Sequence, residues 1–291
     1  MDSDQRRHKI GIVYILAAWA FFTLMTIVAR IASQRISLAT ILFFQNLIGL
    51  VTVLPWINKH GWSLLRTQRL GLLSFRSVVS LVAVAFSFLA VQRISLVDTM
   101  LLTTTSPLWI TFVIWIWRKI PINHILWPGL IAGFLGIVLI LRPGKEILQL
   151  GAFFGLGAGI LQSLNMVSLR VLSYTERNHS VMFYYFLICT VICFPVSIYQ
   201  WVNPSLEEWI EIFTVGLLFS LGQWTFVRAF HHAKASQLGP FCYAAVVYSV
   251  LVDWGLYRQI PDLFAWIGIG LVCAGGIWAI RLASPDSQPQ K

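Results

Sequence analysis

The stretch 10-IGIVYILAAWAFFTLMTIVARIA-32 is 23 residues long and holds one charged residue, Arg30, near its end. A membrane span needs about 20 mostly apolar residues, so this run is long enough to cross a bilayer. Its basic approach, MDSDQRRHK, would suit a cleaved leader, but the run exceeds the ~7–15 apolar residues of a leader core. It reads as a retained first span. A shift of 140 lays it on 150-LGAFFGLGAGILQSLNMVSLRVL-172 and pairs Gly11 with Gly151, Leu16 with Leu156, Ala18 with Ala158, Leu24 with Leu164 and Arg30 with Arg170. The register continues down the chain. At a shift of 139, Ala90 meets Ala229, Trp127 meets Trp266, Gly129 meets Gly268, Gly136 meets Gly275 and Arg142 meets Arg281, and Ile120-Pro121 recurs as Ile260-Pro261 at 140.

Such apolar runs fill the chain. Of its 291 residues 58% are hydrophobic and only 11% charged, against about 25% charged in a soluble domain. There is too little polar surface to coat a water-soluble particle. Candidate spans fall at 10–32, 37–57, 70–91, 96–117, 122–141, 150–172, 180–201, 209–230, 235–256 and 262–282, ten in all. The net charge of +10 does not indicate nucleic acid, because the basic residues punctuate the gaps between runs rather than forming one patch. With the N-terminus inside, 14 Lys and Arg lie at cytoplasmic span ends and 6 at the opposite ones, so both termini are expected in the cytoplasm. The fold expected is therefore all-α integral membrane, ten spans in two repeats of five, 10–141 and 150–282. Five is odd, so the second repeat starts from the opposite face. Inverted repeats of this kind build many secondary transporters, with substrate near the midplane between the halves.

The polar residues inside the runs are read against that plan. Span four contains 101-LLTTTSPLWITF-112, four hydroxyls and a proline at mid-depth. Thr99, Thr103 and Ser106 share a helix face, and Pro107 deprives an upstream carbonyl of its donor. Thr and Ser in membrane helices commonly bond back to their own backbone, worth ~1 kcal/mol each. A cluster with counterparts on other spans points instead to a wetted cavity. The counterparts are Trp19, Thr23 and Thr26 in span one, Gln45, Gly49 and Thr52 in span two, and Arg76, Ser80, Ala83 and Ser87 in span three. Span six adds Ala158, Gln162 and Asn165, span eight Ser220, Gln223 and Trp224, and span nine Tyr243 and Asp253 beyond Pro240.

The expected substrate contacts are Trp19, Thr23, Arg76, Ser80, Thr103, Thr104, Ser106, Trp109, Gln162, Asn165, Gln223, Trp224 and Tyr243. Arg76 either snorkels to the headgroups or draws an anionic group such as a carboxylate. Asp98 forms a capping box with Ser95, its alternative being proton coupling. Asp253 either pairs with Arg258 or carries a coupling proton. Cys189, Cys193, Cys242 and Cys273 lie in apolar runs and read as small buried hydrophobes. The glycine stripe Gly151, Gly155 and Gly159 lets backbones approach closely.

The segment 229-AFHHAKASQLGPFCYAAVVYSVLVDWGLYRQIPDLFAWIGIGLVCAGGIWAIR-281 resembles the closing part of EamA-type permeases of the drug/metabolite transporter superfamily. The resemblance rests on Ala229, AKAS at 233–236, Pro-Phe-x-Tyr at 240–243, Pro261, Gly268 and Gly275-Gly276, and in the first half on Arg76, Ala90, Pro107, Pro121, Gly129 and Gly136. It implies a ten-helix permease of bacterial inner membranes with a cavity lined by spans one, three, four, six, eight and nine. The Pro-Phe-x-Tyr element is similar to that of permeases for S-adenosylmethionine, riboflavin and related metabolites, so the implied substrate is amino-acid-derived or nucleoside- or flavin-like. The chain departs from the family in carrying Lys119 and Gln259 where a glutamate is usual, and Asp253 where a small residue is usual.

An intramembrane enzyme would need a nucleophile with its base, or a metal cluster, at one depth, and the spans contain neither. A channel or a non-transporting receptor is the remaining alternative. The expected partners are a small-molecule substrate and the lipid bilayer, with no nucleic acid, metal or cofactor, in a monomer or weak homodimer.

Overall fold

The computed structural model describes residues 3–119, 127–141, 150–232, 238, 241, 244–257 and 263–282. Among the described residues there is no strand. The first half holds α1 (Ser3–Ala32), α2 (Leu38–His60), a 3-10 turn (Trp62–Leu65), α3 (Leu70–Val91), α4 (Leu96–Thr103), α5 (Ser106–Arg118) and α6 (Trp127–Leu141). The second holds α7 (Leu150–Ser173), α8 (Asn178–Tyr199), α9 (Leu206–His232), α10 (Ala244–Tyr257) and α11 (Leu263–Leu282). Six of these, in α1, α2, α3, α7, α8 and α9, are long and apolar enough to cross a membrane by length and composition. Helices suit that setting because each backbone donor finds its acceptor within the same segment.

The helix ends follow local chemistry. Ser37 caps α2, its hydroxyl oxygen accepting from the Thr40 N–H at 3.2 Å. Gly61 closes α2 at φ 93°, in the left-handed region where a Cβ is unfavourable, and donates its N–H to Ile57 O at 2.8 Å. Ser95 caps α4 by accepting from the Asp98 N–H at 3.0 Å, the first half of the expected capping box. Pro55 and Pro195 both lie inside helices, α2 and α8, 140 residues apart. Helix α1 begins at Ser3, seven residues before the apolar run.

Span four corrects one expectation. The run 96–117 is not one helix but two, α4 and α5, interrupted at Thr104 and Thr105. Proline inside the run has no N–H for the preceding turn, and here it opens α5 within its first two residues. Thr99 and Thr103 therefore lie on one helix and Ser106 on the next.

Helix packing crosses between the halves. The helix α1 packs along α9 and α3 along α7; α2 packs on both α8 and α9, and α3 also touches α8. Both α4 and α5 rest on α7, α10 rests on α4 and α1, and α6 pairs with α11. At the last pair glycines replace side chains. A Cβ on Gly136 would stand 2.7 Å from Gly268 O, and one on Gly275 would collide with Gly129 O. Polarity is inverted relative to a soluble protein. Gln45, Asn46, Arg76 and Thr104 are buried, while Val13, Ile116, Ile198 and Trp254 are exposed, as befits an apolar solvent.

Candidate functional site

The interruption of span four is built from its hydroxyls. Thr104 donates to Met100 O at 2.7 Å and Thr105 to Leu102 O at 2.6 Å. Each hydroxyl thus serves a carbonyl in the turn where the helix falters. Thr105 Oγ1 also accepts from Trp109 Nε1 at 3.1 Å, which ties the indole across the interruption. Ser106 is buried, its Oγ 3.9 Å from Met166 Sδ of α7. Thr103 differs, since its Oγ1 is buried without a partner. Thr104 and Thr105 spend their protons on the fold, and Thr103 retains unspent capacity. Trp109 packs against Phe112 and Phe134, 6.1 and 5.1 Å between centroids, so its ring works mainly between α5 and α6.

The glycine stripe of α7 seats this region. A Cβ on Gly155 would meet Leu102 Cδ1 at 2.9 Å, and one on Gly159 would stand 2.5 Å from Leu102 O and 2.6 Å from Thr105 Oγ1. Three and six residues beyond Gly159, α7 presents Gln162 and Asn165. Asn165 is buried and donates Nδ2 to Gln162 Oε1 at 3.2 Å, leaving its own Oδ1 without a partner.

Along α1 and α9 lies an aromatic wall. Trp19 is buried with its Nε1 unpartnered, its ring edge-on to Phe22 at 5.9 Å and to Phe226 at 6.3 Å. Thr23 donates to Trp19 O at 2.8 Å, which is local back-bonding. Gln223 is buried on α9. Trp224 faces the end of the pair, with the Arg228 guanidinium 4.2 Å from its ring centroid and Tyr14 at 5.9 Å. Arg228 also donates to Tyr14 Oη at 3.4 Å.

Arg76 does not snorkel. It is 1% exposed, about 9 Å along α3 from Leu70 at 1.5 Å per residue, and its Nε and Nη2 have no hydrogen-bond partner. Its guanidinium lies 5.4 Å from the Tyr185 ring centroid on α8. Ser80, one turn on, is buried and within reach of the Tyr185 phenol, but the phenol oxygen has no partner of hydrogen-bond geometry. Cys189 Sγ donates to Ser77 O at 3.5 Å and closes the contact between α3 and α8.

Trp19, Thr23, Gln223 and Trp224 thus lie on the packed pair α1 and α9, Arg76 and Ser80 on α3, and Gln162 and Asn165 on α7, which packs on α3, α4 and α5, while Trp109 stands apart between α5 and α6. Tyr243 lies outside the described residues. Asp253 lies in α10, with its side chain outside them. Asp98 sits in the first turn of α4, at an end rather than at mid-depth. Among the described residues no three His, Cys, Asp or Glu side chains gather as metal ligands.

Sequence reasoning missed Tyr185, whose hydroxyl is buried and unpartnered, and gave no role to Asn46, whose Oδ1 is likewise orphaned. Gln45 stands on the polar face of span two but outside the expected substrate contacts; it is fully buried with both amide atoms unpartnered. Glutamine and asparagine adjacent in an apolar run were the available signal for the α2 pair. For Tyr185 there was none, because tyrosine is common in apolar runs.

Comparison with known proteins places this arrangement. The EamA-like transporter family model matches residues 9–142 and again 149–281. The chain is 24% identical to a riboflavin transporter of Vibrio cholerae over 90% of both chains. It is 26% identical to a pseudopaline exporter of Pseudomonas aeruginosa over 97% of this chain and 98% of the other. Similarity to an S-adenosylmethionine uptake transporter of Rickettsia bellii is 22% over 90% of both. A protein of known crystal structure superposes with a TM-score of 0.66 over 96% of this chain and 99% of that one, at 17% identity, so the likeness is one of fold.

Proposed function

The chain belongs to the EamA-like transporter family, and from that premise we propose alternating access by two inverted five-span repeats, 10–141 and 150–282. It is a multi-pass bacterial inner-membrane permease for a small molecule, not an enzyme. On the proposed plan α4 and α5 together form span four, and α6, α10 and α11 form spans five, nine and ten. Both termini face the cytoplasm. The halves rock about a site between them, where Trp19, Thr103, Gln162, Asn165 and Gln223 hold the substrate. Asp98 and Asp253 are the coupling candidates. The substrate is an amino-acid-derived or nucleoside- or flavin-like metabolite, a class that includes the riboflavin and S-adenosylmethionine in the names of two relatives.

The observation that carries the repeat is the glycine contact of α6 with α11. A shift of 139 turns Gly129 into Gly268 and Gly136 into Gly275, and the two close approaches are Gly136 to Gly268 and Gly275 to Gly129. Exchanging the halves converts one contact into the other, as a two-fold axis requires. The wider packing obeys the same exchange. Swapping each span for the one five further on turns α1 on α9 into α7 on α3, and α2 on α9 into α8 on α3.

The test is an untargeted comparison of metabolites in cells and medium for a bacterium overproducing wild type or Gln162→Ala, at equal amounts of folded protein. A compound that shifts in wild type and not in the variant supports the site. Wild-type kinetics in Gln162→Ala would remove Gln162 from it.

A further inference from the structure

We propose that the transported molecule carries an organic oxyanion, gripped between Arg76 of the first half and Tyr185 of the second. This rests on the permease reading above and specifies the substrate class of the same site. A buried guanidinium is costly unless paired and hydrogen-bonded. Arg76 is 1% exposed, with Nε and Nη2 unpartnered. No described carboxylate forms an ion pair with it; the pair that does reach ion-pair distance among the described residues is the exposed Arg35–Glu207, at 3.7 Å.

The surroundings suit an oxyanion. The guanidinium lies over the Tyr185 ring, and the buried Tyr185 hydroxyl has Ser80 and Cys189 nearby but makes no bond of good geometry with either. A phenol donates to an oxyanion, and two guanidinium N–H groups present a planar fork that a carboxylate or phosphate fits. Next to them the rings of Phe186 and Phe219 close on Tyr185 at 5.3 and 6.1 Å, so the body attached to the anion meets aromatic faces. The position equivalent to Arg76 in the second half is Val215 or Gly216 at shifts of 139 or 140. The positive charge therefore belongs to one repeat alone, and the substrate binds in one orientation. Tyr185 belongs to span seven, which the family resemblance leaves outside the cavity lining. The structure assigns it a specificity role there.

The experiment uses the full chain purified in detergent, with thermal unfolding followed while sodium phenylacetate, phenyl phosphate or uncharged phenylacetamide is added at matched ionic strength. Phenylacetate and phenylacetamide have similar shapes and differ in charge. The expected result is half-maximal stabilisation by at least one oxyanion at a concentration about tenfold or more below that of the amide, the gap a charge-assisted hydrogen bond provides. Whichever oxyanion acts at lower concentration identifies carboxylate or phosphate as the preferred group. Arg76→Gln abolishes the preference for oxyanion over amide, Arg76→Lys keeps part of it, and Tyr185→Phe weakens it several-fold. The last two variants keep the test decisive if Arg76→Gln does not fold. Equal action of acid and amide, no action by either oxyanion on wild type, or full preference in Arg76→Gln would each overturn the proposal. Oxyanion binding by a protein that moves no metabolite would refute alternating access and leave this subsite standing. Transport of an uncharged compound at wild-type rate by Arg76→Gln would do the reverse.

Discussion

Replacing Gly159 by alanine tests how span four is seated. The new Cβ would stand 2.5 Å from Leu102 O and 2.6 Å from Thr105 Oγ1, whereas ordinary contact starts near 3.4 Å. The helix α7 and the interruption must therefore separate by roughly 0.9 Å, the shortfall between those two distances. Neither neighbour yields by changing rotamer. Leu102 O is backbone, and Thr105 Oγ1 is held by its bonds to Leu102 O and Trp109 Nε1. Overpacking of this kind costs about 1–3 kcal/mol, and the rigid neighbours put it at the upper end. The gain in helix propensity on removing glycine offsets about 1 kcal/mol, leaving about 2 kcal/mol of net destabilisation and a midpoint ~4–8 °C lower. Gly155→Ala meets the end of the Leu102 side chain at 2.9 Å and should cost less. Gly270→Ala, with nothing within 4 Å of its Cβ, should be neutral or slightly stabilising. Thermal unfolding in detergent by fluorescence-detected size exclusion gives the order. If Gly159→Ala matches Gly270→Ala, the account of how α7 meets the interruption is wrong.

Three further outcomes are expected. Thr105→Val leaves Leu102 O with one donor fewer and Trp109 Nε1 without its acceptor, costing about 1–3 kcal/mol, while Thr103→Val changes stability little and lowers transport; equal stability losses would contradict this. Gly136→Ala and Gly275→Ala both drive a Cβ at a backbone carbonyl of the partner helix, so their stability losses should agree within about 1 kcal/mol; a large inequality would count against the two-fold relation. Arg76→Gln should raise the ligand-free unfolding midpoint, because it removes a buried charge that lacks a pair. A lower midpoint would mean that the contact with Tyr185 holds the fold together.

What the sequence made legible were features of backbone and register. Ser95 with Asp98 marked the start of α4, whereas Pro107 signalled a lost hydrogen bond in span four but not its division into α4 and α5. The glycine pairs at a shift of 139 are legible in the sequence, but their contact is not. The side-chain environment was not legible, for a physical reason. In a soluble helix the apolar stripe shows which face is inward, but in a bilayer both faces are apolar and the stripe disappears. The sequence therefore offered Thr23, Thr104 and Asn165 alike as substrate contacts. It could not tell that Thr23 and Thr104 bond to their own helices while the Asn165 carbonyl oxygen bonds to nothing. Nor did any local pattern join Arg76 to Tyr185, which is 109 residues away in the chain.

The division between spent and unspent polar groups also constrains the transport cycle. Trp19, Thr103 and Asn165 keep unpartnered atoms on α1, α4 and α7, and Arg76 and Tyr185 keep theirs on α3 and α8. Each set draws on both halves of the chain. On the proposed site, a molecule that satisfies them all offers an oxyanion to the second set and neutral donors and acceptors to the first. Such a molecule ties the halves together only while it touches both. Under the proposed alternating access, rocking the halves apart on either side breaks the contacts of one half before those of the other, so the last contact differs between the two faces. If the oxyanion subsite lies nearer the face where α3 begins, as its position about two turns inside that helix implies, release toward that face leaves Arg76 to be vacated last. Arg76→Lys should then speed release toward that face more than release toward the opposite one, read as the ratio of efflux rates from right-side-out and inside-out vesicles.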